Sequence, residues 1–179
     1  MHPPAPTTAD LRQAIRNVPD FPKPGIQFKD ITPVLADPGL FAGCIDLLAG
    51  PFQPGDVDSV VGIDARGFIF AAAVALQLKA GFVPVRKKGK LPFQAFEQSY
   101  DLEYGQNTIA IHVDAFKPGS RVLLVDDLLA TGGTAQAAAH LVEKAGGKIL
   151  GIHFLIELGF LQGRQKLPPH PIRSLVVFS

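Results

Sequence analysis

Residues 121–134 read RVLLVDDLLATGGT. The stretch opens with an apolar run, Arg121 to Val125, of the kind typical of a strand that is buried on both faces of a sheet. Asp126 and Asp127 follow, and a turn of small residues then leads into an alanine-rich helical pattern over Thr134 to Ala145. The stretch therefore predicts a strand, a polar loop and a helix in direct succession.

The same succession recurs on both sides of this stretch. Short apolar runs alternate with helical patterns and are separated by glycine- and proline-rich turns. The predicted elements are the strands Ser59–Ile63, Gly81–Val85, Ile149–Ile156 and Ser174–Phe178 and the helix Phe68–Leu78. This alternation predicts an α/β fold, a doubly wound and mainly parallel sheet with helices on both faces.

Four further segments lie outside these units. The spacing of apolar residues predicts a helix over Thr8 to Val18 and another over Pro38 to Leu48. Residues 21–35 contain three prolines, which predicts a largely extended chain. Two alternating segments separated by Gly105, Gln106 and Asn107 predict an antiparallel hairpin over Tyr100 to His112. A hairpin inserted between parallel strands is typical of a flexible cover over a site.

Charge and cysteine content limit the classes of partner. The chain has 17 Lys and Arg against 16 Asp and Glu, a net charge of +1, and 47% of its residues are hydrophobic. A nucleic-acid-binding protein normally carries a basic surplus, so no nucleic acid partner is expected. No apolar run reaches the length of about 20 residues that a membrane span needs. The single cysteine, Cys44, and the absence of a signal-peptide pattern at the N-terminus lead us to expect a cytoplasmic protein.

The loop after the central strand has the composition of an anion site. Ligands of open α/β sheets bind beyond the carboxyl ends of the strands, where the N-termini of helices favour anions. Thr131 to Thr134 supply hydroxyls and glycine amides for a monophosphate, and Asp126 and Asp127 are placed to accept hydrogen bonds from sugar hydroxyls. The loop has neither the GxxxxGK[ST] nor the GxGxxG pattern. These residues indicate a ribose 5-phosphate site, with an ordinary strand-to-helix turn as the alternative.

The run VLLVDDLLATGGTAQAA, residues 122–138, resembles the phosphoribosyl diphosphate binding motif of the type I phosphoribosyltransferases. Three more segments are similar to members of that family that act on adenine, and they occur in the family's order: FPKPGIQFKDITPVL (21–35), GIDARGFIF (62–70), and FVPVRKKGKLP (82–92) followed by YDLEYG (100–105). Together they extend over nearly the whole chain.

The resemblance implies a role for each matching residue. The 5-phosphate would be held by Ala130, Thr131, Gly132, Gly133 and Thr134, and the ribose hydroxyls by Asp126 and Asp127. The pyrophosphate would meet Arg66, Arg86, Lys87 and Lys90. Glu103 and Tyr104 would be the catalytic residues of the lid. The adenine would lie at Gln27, Phe28, Lys29 and Leu158. Mg²⁺ would be held mainly through oxygen atoms of the substrate.

The implied activity is transfer of the 5-phosphoribosyl group from phosphoribosyl diphosphate to N9 of adenine, which gives AMP and diphosphate in purine salvage. The implied architecture is a type I phosphoribosyltransferase fold in a single domain, with an N-terminal arm and hood over residues 1–35 and a hairpin lid over residues 91–112. The family also implies a homodimer. Two alternatives remain open: a phosphoribosyltransferase for another purine, and a non-catalytic regulator that senses phosphoribosyl diphosphate.

Overall fold

The computed structural model describes residues 5–101 and 105–179. The chain divides into two units, an N-terminal unit that ends at Leu47 and a larger unit from Leu48 to Ser179.

The N-terminal unit begins with helix α1, Thr8–Ala14, which is started by a capping box between Thr7 and Asp10. The helix is shorter than the predicted Thr8 to Val18, because Arg16–Pro19 instead forms strand β1. Strand β2, Gln27–Asp30, pairs antiparallel with β1. The strand pairing thus includes three residues, 16–18, that the apolar spacing alone had assigned to the helix.

Residues 21–35 are only partly extended. Strand β2 confirms the prediction in the middle of the stretch, but Thr32–Ala36 forms helix α2. Pro33 lies in the first turn of α2, where its missing N–H costs no hydrogen bond, so this proline permits a helix. Helix α3, Pro38–Ala49, follows and ends one residue beyond the predicted Leu48.

The larger unit contains a seven-stranded sheet in the order β5-β6-β4-β3-β7-β8-β9. Its strands are β3 (Ser59–Ile63), β4 (Gly81–Lys87), β5 (Ala95–Asp101), β6 (Gln106–His112), β7 (Arg121–Leu129), β8 (Lys148–Leu158) and β9 (Ile172–Phe178). Strands β4, β3, β7, β8 and β9 are parallel to their neighbours in that group. The predicted parallel sheet is confirmed, and all five of its predicted strands are present.

Two helices connect the parallel strands. Helix α4, Gly67–Leu78, joins β3 to β4, and helix α5, Gly133–Lys144, joins β7 to β8. A hydrophobic core cluster contains alternate residues of β3, Val61 and Ile63, together with the alanine-rich face of α5. Apolar residues on both faces of β3 are buried, which is why the strand reads as a continuous apolar run. Among the described residues, no helix is long and apolar enough to cross a membrane.

The predicted hairpin is confirmed. Strands β5 and β6 pair antiparallel from Ala95 with His112 to Asp101 with Gln106, and β6 adds antiparallel to β4. The first strand begins five residues before the predicted Tyr100, and Gln106 and Asn107 belong to β6, not to the turn. Residues 102–104, which include Glu103 and Tyr104, lie outside the described residues.

Candidate active site at the carboxyl edge of the sheet

A cavity of about 390 Å³ lies at the carboxyl ends of β3 and β7. It brings together eight of the residues that the sequence selected: Arg66, Asp126, Asp127, Ala130, Thr131, Gly132, Gly133 and Thr134. The position agrees with the rule that ligands of open α/β sheets bind at this edge, between two strands whose helices leave in different directions.

The phosphate loop, residues 130–134, forms one wall of the cavity. Helix α5 begins at Gly133, and Gly132 before it has a φ of 83°, in the left-handed region that favours glycine. No side chain among the described residues caps the start of this helix. The first N–H groups of α5 and the positive end of its dipole are therefore available to an anion in the cavity.

The two adjacent carboxylates lie within β7, which runs to Leu129, and not after the strand as the sequence predicted. Both residues are buried and both line the cavity. The Asp127 N–H donates a hydrogen bond of 3.0 Å to Asp126 Oδ1. That bond leaves Asp126 Oδ2 as the second acceptor of this carboxyl group.

Burial sets the protonation of this pair. Burial, and then the neighbouring charge of Asp127, raise the pKa of Asp126 well above its ordinary value. Burial also raises the pKa of Asp127, against the opposing effect of the Arg66 guanidinium. The two carboxylates thus sit where water stabilises their charge poorly and where hydrogen-bond donors of a ligand would stabilise it.

Two arginines form ion pairs with aspartates in and beside the cavity, and the sequence did not predict these pairs. Arg66 Nε lies 2.8 Å from Asp127 Oδ2. Arg86 Nε donates to Asp64 Oδ2 over 3.0 Å, and Arg86 Nη1 donates to the Lys90 carbonyl oxygen over 3.0 Å. Asp64 and Arg66 each bind a partner from another strand.

Two lysines assigned to pyrophosphate lie apart from the cavity wall. Lys87 is the last residue of β4 and Lys90 follows in the next turn; both are exposed, and neither lines the cavity. Arg86 does not line it either, but it holds Asp64, which does. Of the four predicted pyrophosphate contacts, the structure places Arg66 directly in the site.

The residues predicted to hold the base are divided between the two units. Gln27, Phe28 and Lys29 form β2 of the N-terminal unit, where Lys29 Nζ donates to Asn17 Oδ1 over 2.9 Å and Asn17 Nδ2 donates to Gln27 Oε1 over 2.7 Å. Leu158 is the last residue of β8 in the larger unit. Glu103 and Tyr104, the predicted catalytic residues, lie outside the described residues.

Sequence reasoning missed Tyr100, which also lines the cavity. Tyr100 is in β5, close to the lid, and a Cβ placed on Gly133 would lie 3.2 Å from its Cδ2 atom. The aromatic side chain therefore packs against the first residue of α5. The sequence shows only a tyrosine at the start of the predicted hairpin, which by itself does not distinguish a site residue from a core residue.

The donor set is compatible with Mg²⁺ held mainly by a substrate. Mg²⁺ is commonly bound by one or two carboxylates together with substrate phosphates and water. Asp126 and Asp127 supply two carboxylates in the cavity. Within residues 5–101 and 105–179, no group of three or more His, Cys, Asp or Glu side chains is close enough to hold a metal ion.

Comparison with known proteins identifies relatives along nearly the whole chain. The phosphoribosyl transferase domain family matches residues 31–174. An adenine phosphoribosyltransferase of Acidothermus cellulolyticus is 59% identical over 97% of this chain and 98% of its own. The adenine phosphoribosyltransferase structure from Rhodothermus marinus has a TM-score of 0.90 at 56% identity, over 96% of this chain and 98% of that one. The Saccharomyces cerevisiae enzyme, solved with an imino-altritol bisphosphate and adenine, has a TM-score of 0.88 at 43% identity, over 94% and 97% of the two chains.

Proposed function

The chain belongs to the phosphoribosyl transferase domain family and, within it, to the adenine phosphoribosyltransferases, and we propose that it transfers the 5-phosphoribosyl group of phosphoribosyl diphosphate to N9 of adenine. The products are AMP and diphosphate, and the reaction serves purine salvage. The observation that carries the proposal is one cavity that combines a phosphate loop, two buried carboxylates and an arginine.

The ribose 5-phosphate part of the donor fits the two walls of this cavity. The 5-phosphate is bound by the amides of the phosphate loop and by the hydroxyls of Thr131 and Thr134. Asp126 and Asp127 accept hydrogen bonds from the ribose hydroxyls, which are neutral donors that replace lost water around the buried charges. These contacts fix C1′ of the donor relative to the protein.

The leaving pyrophosphate faces the arginine. In the reaction the bond between C1′ and a pyrophosphate oxygen breaks, its electron pair leaves with pyrophosphate, and N9 of adenine bonds to C1′ and loses its proton. Arg66 stabilises the negative charge that grows on the leaving group, while its Nε lies on Asp127 and its other guanidinium N–H groups can donate to pyrophosphate. Mg²⁺, held mainly through the substrate beside Asp126 and Asp127, would supply further charge neutralisation.

The proposal assigns the remaining functions to residues matched by the family motifs. Glu103 accepts or relays the N9 proton, and Tyr104 helps to cover the pyrophosphate against water. Adenine is bound at Gln27, Phe28, Lys29 and Leu158. We propose a cytoplasmic location, which the lone buried cysteine supports. We also propose a homodimer, which the family supports. Light scattering of the purified chain measures its mass and so tests the homodimer.

A panel of purines tests the proposed function. Adenine, hypoxanthine and guanine are each supplied with phosphoribosyl diphosphate and Mg²⁺, and nucleotide formation is followed by chromatography. Rapid AMP formation that stops on addition of EDTA and resumes with excess Mg²⁺ is expected. Preference for hypoxanthine or guanine would assign the chain to another purine. Binding of phosphoribosyl diphosphate without turnover of any base would make it a non-catalytic sensor.

A further inference from the structure

The backbone of the phosphate loop contacts the backbone of a second segment at two glycines, Gly132 and Gly163. Gly132 belongs to the loop, and Gly163 begins a 3₁₀ turn, Gly163–Lys166, that follows β8. A Cβ on Gly132 would overlap the Gly163 carbonyl oxygen. A Cβ on Gly163 would overlap the Ala130 carbonyl oxygen and lie 2.8 Å from Gly132 N. The loop therefore rests directly on the 3₁₀ turn, and no side chain lies between them to absorb a change.

Arg164 fixes this turn to the sheet. Its Nε donates to Glu157 Oε1 over 3.2 Å and its Nη2 donates to Glu157 Oε2 over 2.5 Å. Its remaining donors reach the Ile172 carbonyl oxygen over 3.1 Å and Ser174 Oγ over 3.2 Å, both in β9. One guanidinium thus joins the turn to both β8 and β9, in the two-pronged geometry that only arginine provides.

Glu157 is a buried carboxylate, and its ion pair with Arg164 compensates its negative charge. The residue is 7% exposed, and Ser174 Oγ donates a second hydrogen bond, of 2.5 Å, to Glu157 Oε2. The Arg164 hydrogen bonds hold the pKa of Glu157 below its ordinary value. A buried carboxylate with all its partners supplied by two strands and one turn is a rigid anchor, because loss of any partner leaves charge unpaired.

We propose that Gly163 and the Arg164–Glu157 pair are positioning residues for the 5-phosphate. The inference rests on the proposed function, because it concerns the affinity of the same phosphate loop. Neither Gly163 nor either member of the pair is among the residues lining the cavity, so they act through the backbone of Ala130 to Gly132. Amides aimed at an anion tolerate displacements of only about 0.5 Å, and a support made of backbone atoms meets that requirement.

The first test is Gly163→Ala, with Gly81→Ala as its matched control. A Cβ on Gly81 meets only ordinary contacts, 3.5 Å to Ser59 Oγ and 3.6 Å to the Asp58 carbonyl oxygen. Binding of ribose 5-phosphate is measured by calorimetry, and thermal unfolding is measured on the same samples. We expect Gly163→Ala to weaken binding about 10-fold or more, since its Cβ can be accommodated only by displacing the loop. The Gly81→Ala variant keeps the wild-type Kd.

The second test is Arg164→Lys, which keeps the charge but loses the two-pronged contact. Its matched control is Arg121→Lys at the opposite edge of the sheet. Arg121 also binds a carboxylate through Nε and Nη2, which donate to Asp58 over 3.1 Å and 2.8 Å. We expect Arg164→Lys to raise the Kd for ribose 5-phosphate and the KM for phosphoribosyl diphosphate by the same factor, with a smaller change in kcat. This variant carries the test alone if Gly163→Ala does not fold.

The outcomes separate the two proposals. If the wild-type chain does not bind ribose 5-phosphate, the proposed function fails. If the wild-type chain binds it and the folded variants bind it equally well, the positioning role is overturned and the proposed function stands. A lower Tm of Arg164→Lys with unchanged Kd and KM also overturns it, because the anchor would then serve stability alone.

Discussion

Replacing Asp126 by Asn should weaken donor binding without weakening the fold. One oxygen of Asp126 accepts the Asp127 N–H, and Asn can keep that bond, so the loss falls on the second oxygen. A hydrogen bond to a charged acceptor is worth about twice a neutral one, so exchanging one for the other costs about 1–2 kcal/mol. This corresponds to a fall of about 5- to 30-fold in kcat/KM for phosphoribosyl diphosphate, measured at saturating adenine.

The expected effect on stability has the opposite sign. Burial raises the pKa of Asp126, so the native protein binds the proton more tightly than the unfolded chain, and stability contributed by this group is lost as the pH rises through the raised pKa. At pH values above that raised pKa the uncharged amide removes that loss, and the Tm of Asp126→Asn should equal or exceed that of the wild type.

Asp58→Asn is the matched control for this prediction. Asp58 lies just before β3, at the edge of the sheet away from the cavity, and hydrogen bonds from Arg121 lower its pKa to about 2. Its replacement should lower the Tm and leave kcat/KM unchanged. An Asp126→Asn variant that unfolds earlier yet reacts at the wild-type rate would refute both parts of the reasoning, since the carboxylate would then be a structural group.

Three further outcomes follow from buried titratable groups. Ribose 5-phosphate affinity should fall as the pH drops through the raised pKa of Asp126, and this part of the pH dependence should vanish in Asp126→Asn when both are titrated by calorimetry. Burial lowers the pKa of His153, so the unfolded chain takes up its proton first and the Tm should fall below about pH 6.5, with a smaller fall in His153→Gln. The Cys44 thiol is fully buried, and burial raises its pKa to about 12, so Ellman's reagent should react with it only after denaturation.

The fold was readable from the sequence where the signals are local. Strand β3 matches its predicted bounds, and helices α4 and α5 begin within one residue of theirs, because apolar runs ended by small turns depend on neighbours in sequence. Strand β1 was missed for the opposite reason. Residues 16–18 continue the apolar spacing of α1, and only the pairing of residues 16–19 with β2, about ten residues further on, makes them a strand.

The same distinction divides the candidate site. The phosphate loop and the two aspartates are contiguous in sequence, so a ribose 5-phosphate site could be proposed from one stretch, and the cavity brings these residues together. Ion pairs were not predictable, because Arg66 binds Asp127 of β7 and Arg86 binds Asp64, which directly follows β3, and residue type alone leaves both choices open. The exposure of Lys87 and Lys90 was likewise not predictable, because it depends on where β4 ends.

Gly163 is the strongest case of a residue whose function depends on a distant partner. In sequence it is one of 18 glycines, in a segment with no recognisable motif. In the structure its lack of a side chain lets the 3₁₀ turn meet the phosphate loop, about 30 residues earlier in the chain, at backbone distance. An anion site built from amides has no side chain that can adjust to a displaced loop, so its precision must come from the backbone that supports it. Substitutions beneath the loop should therefore affect phosphate affinity more than their distance from the ligand suggests.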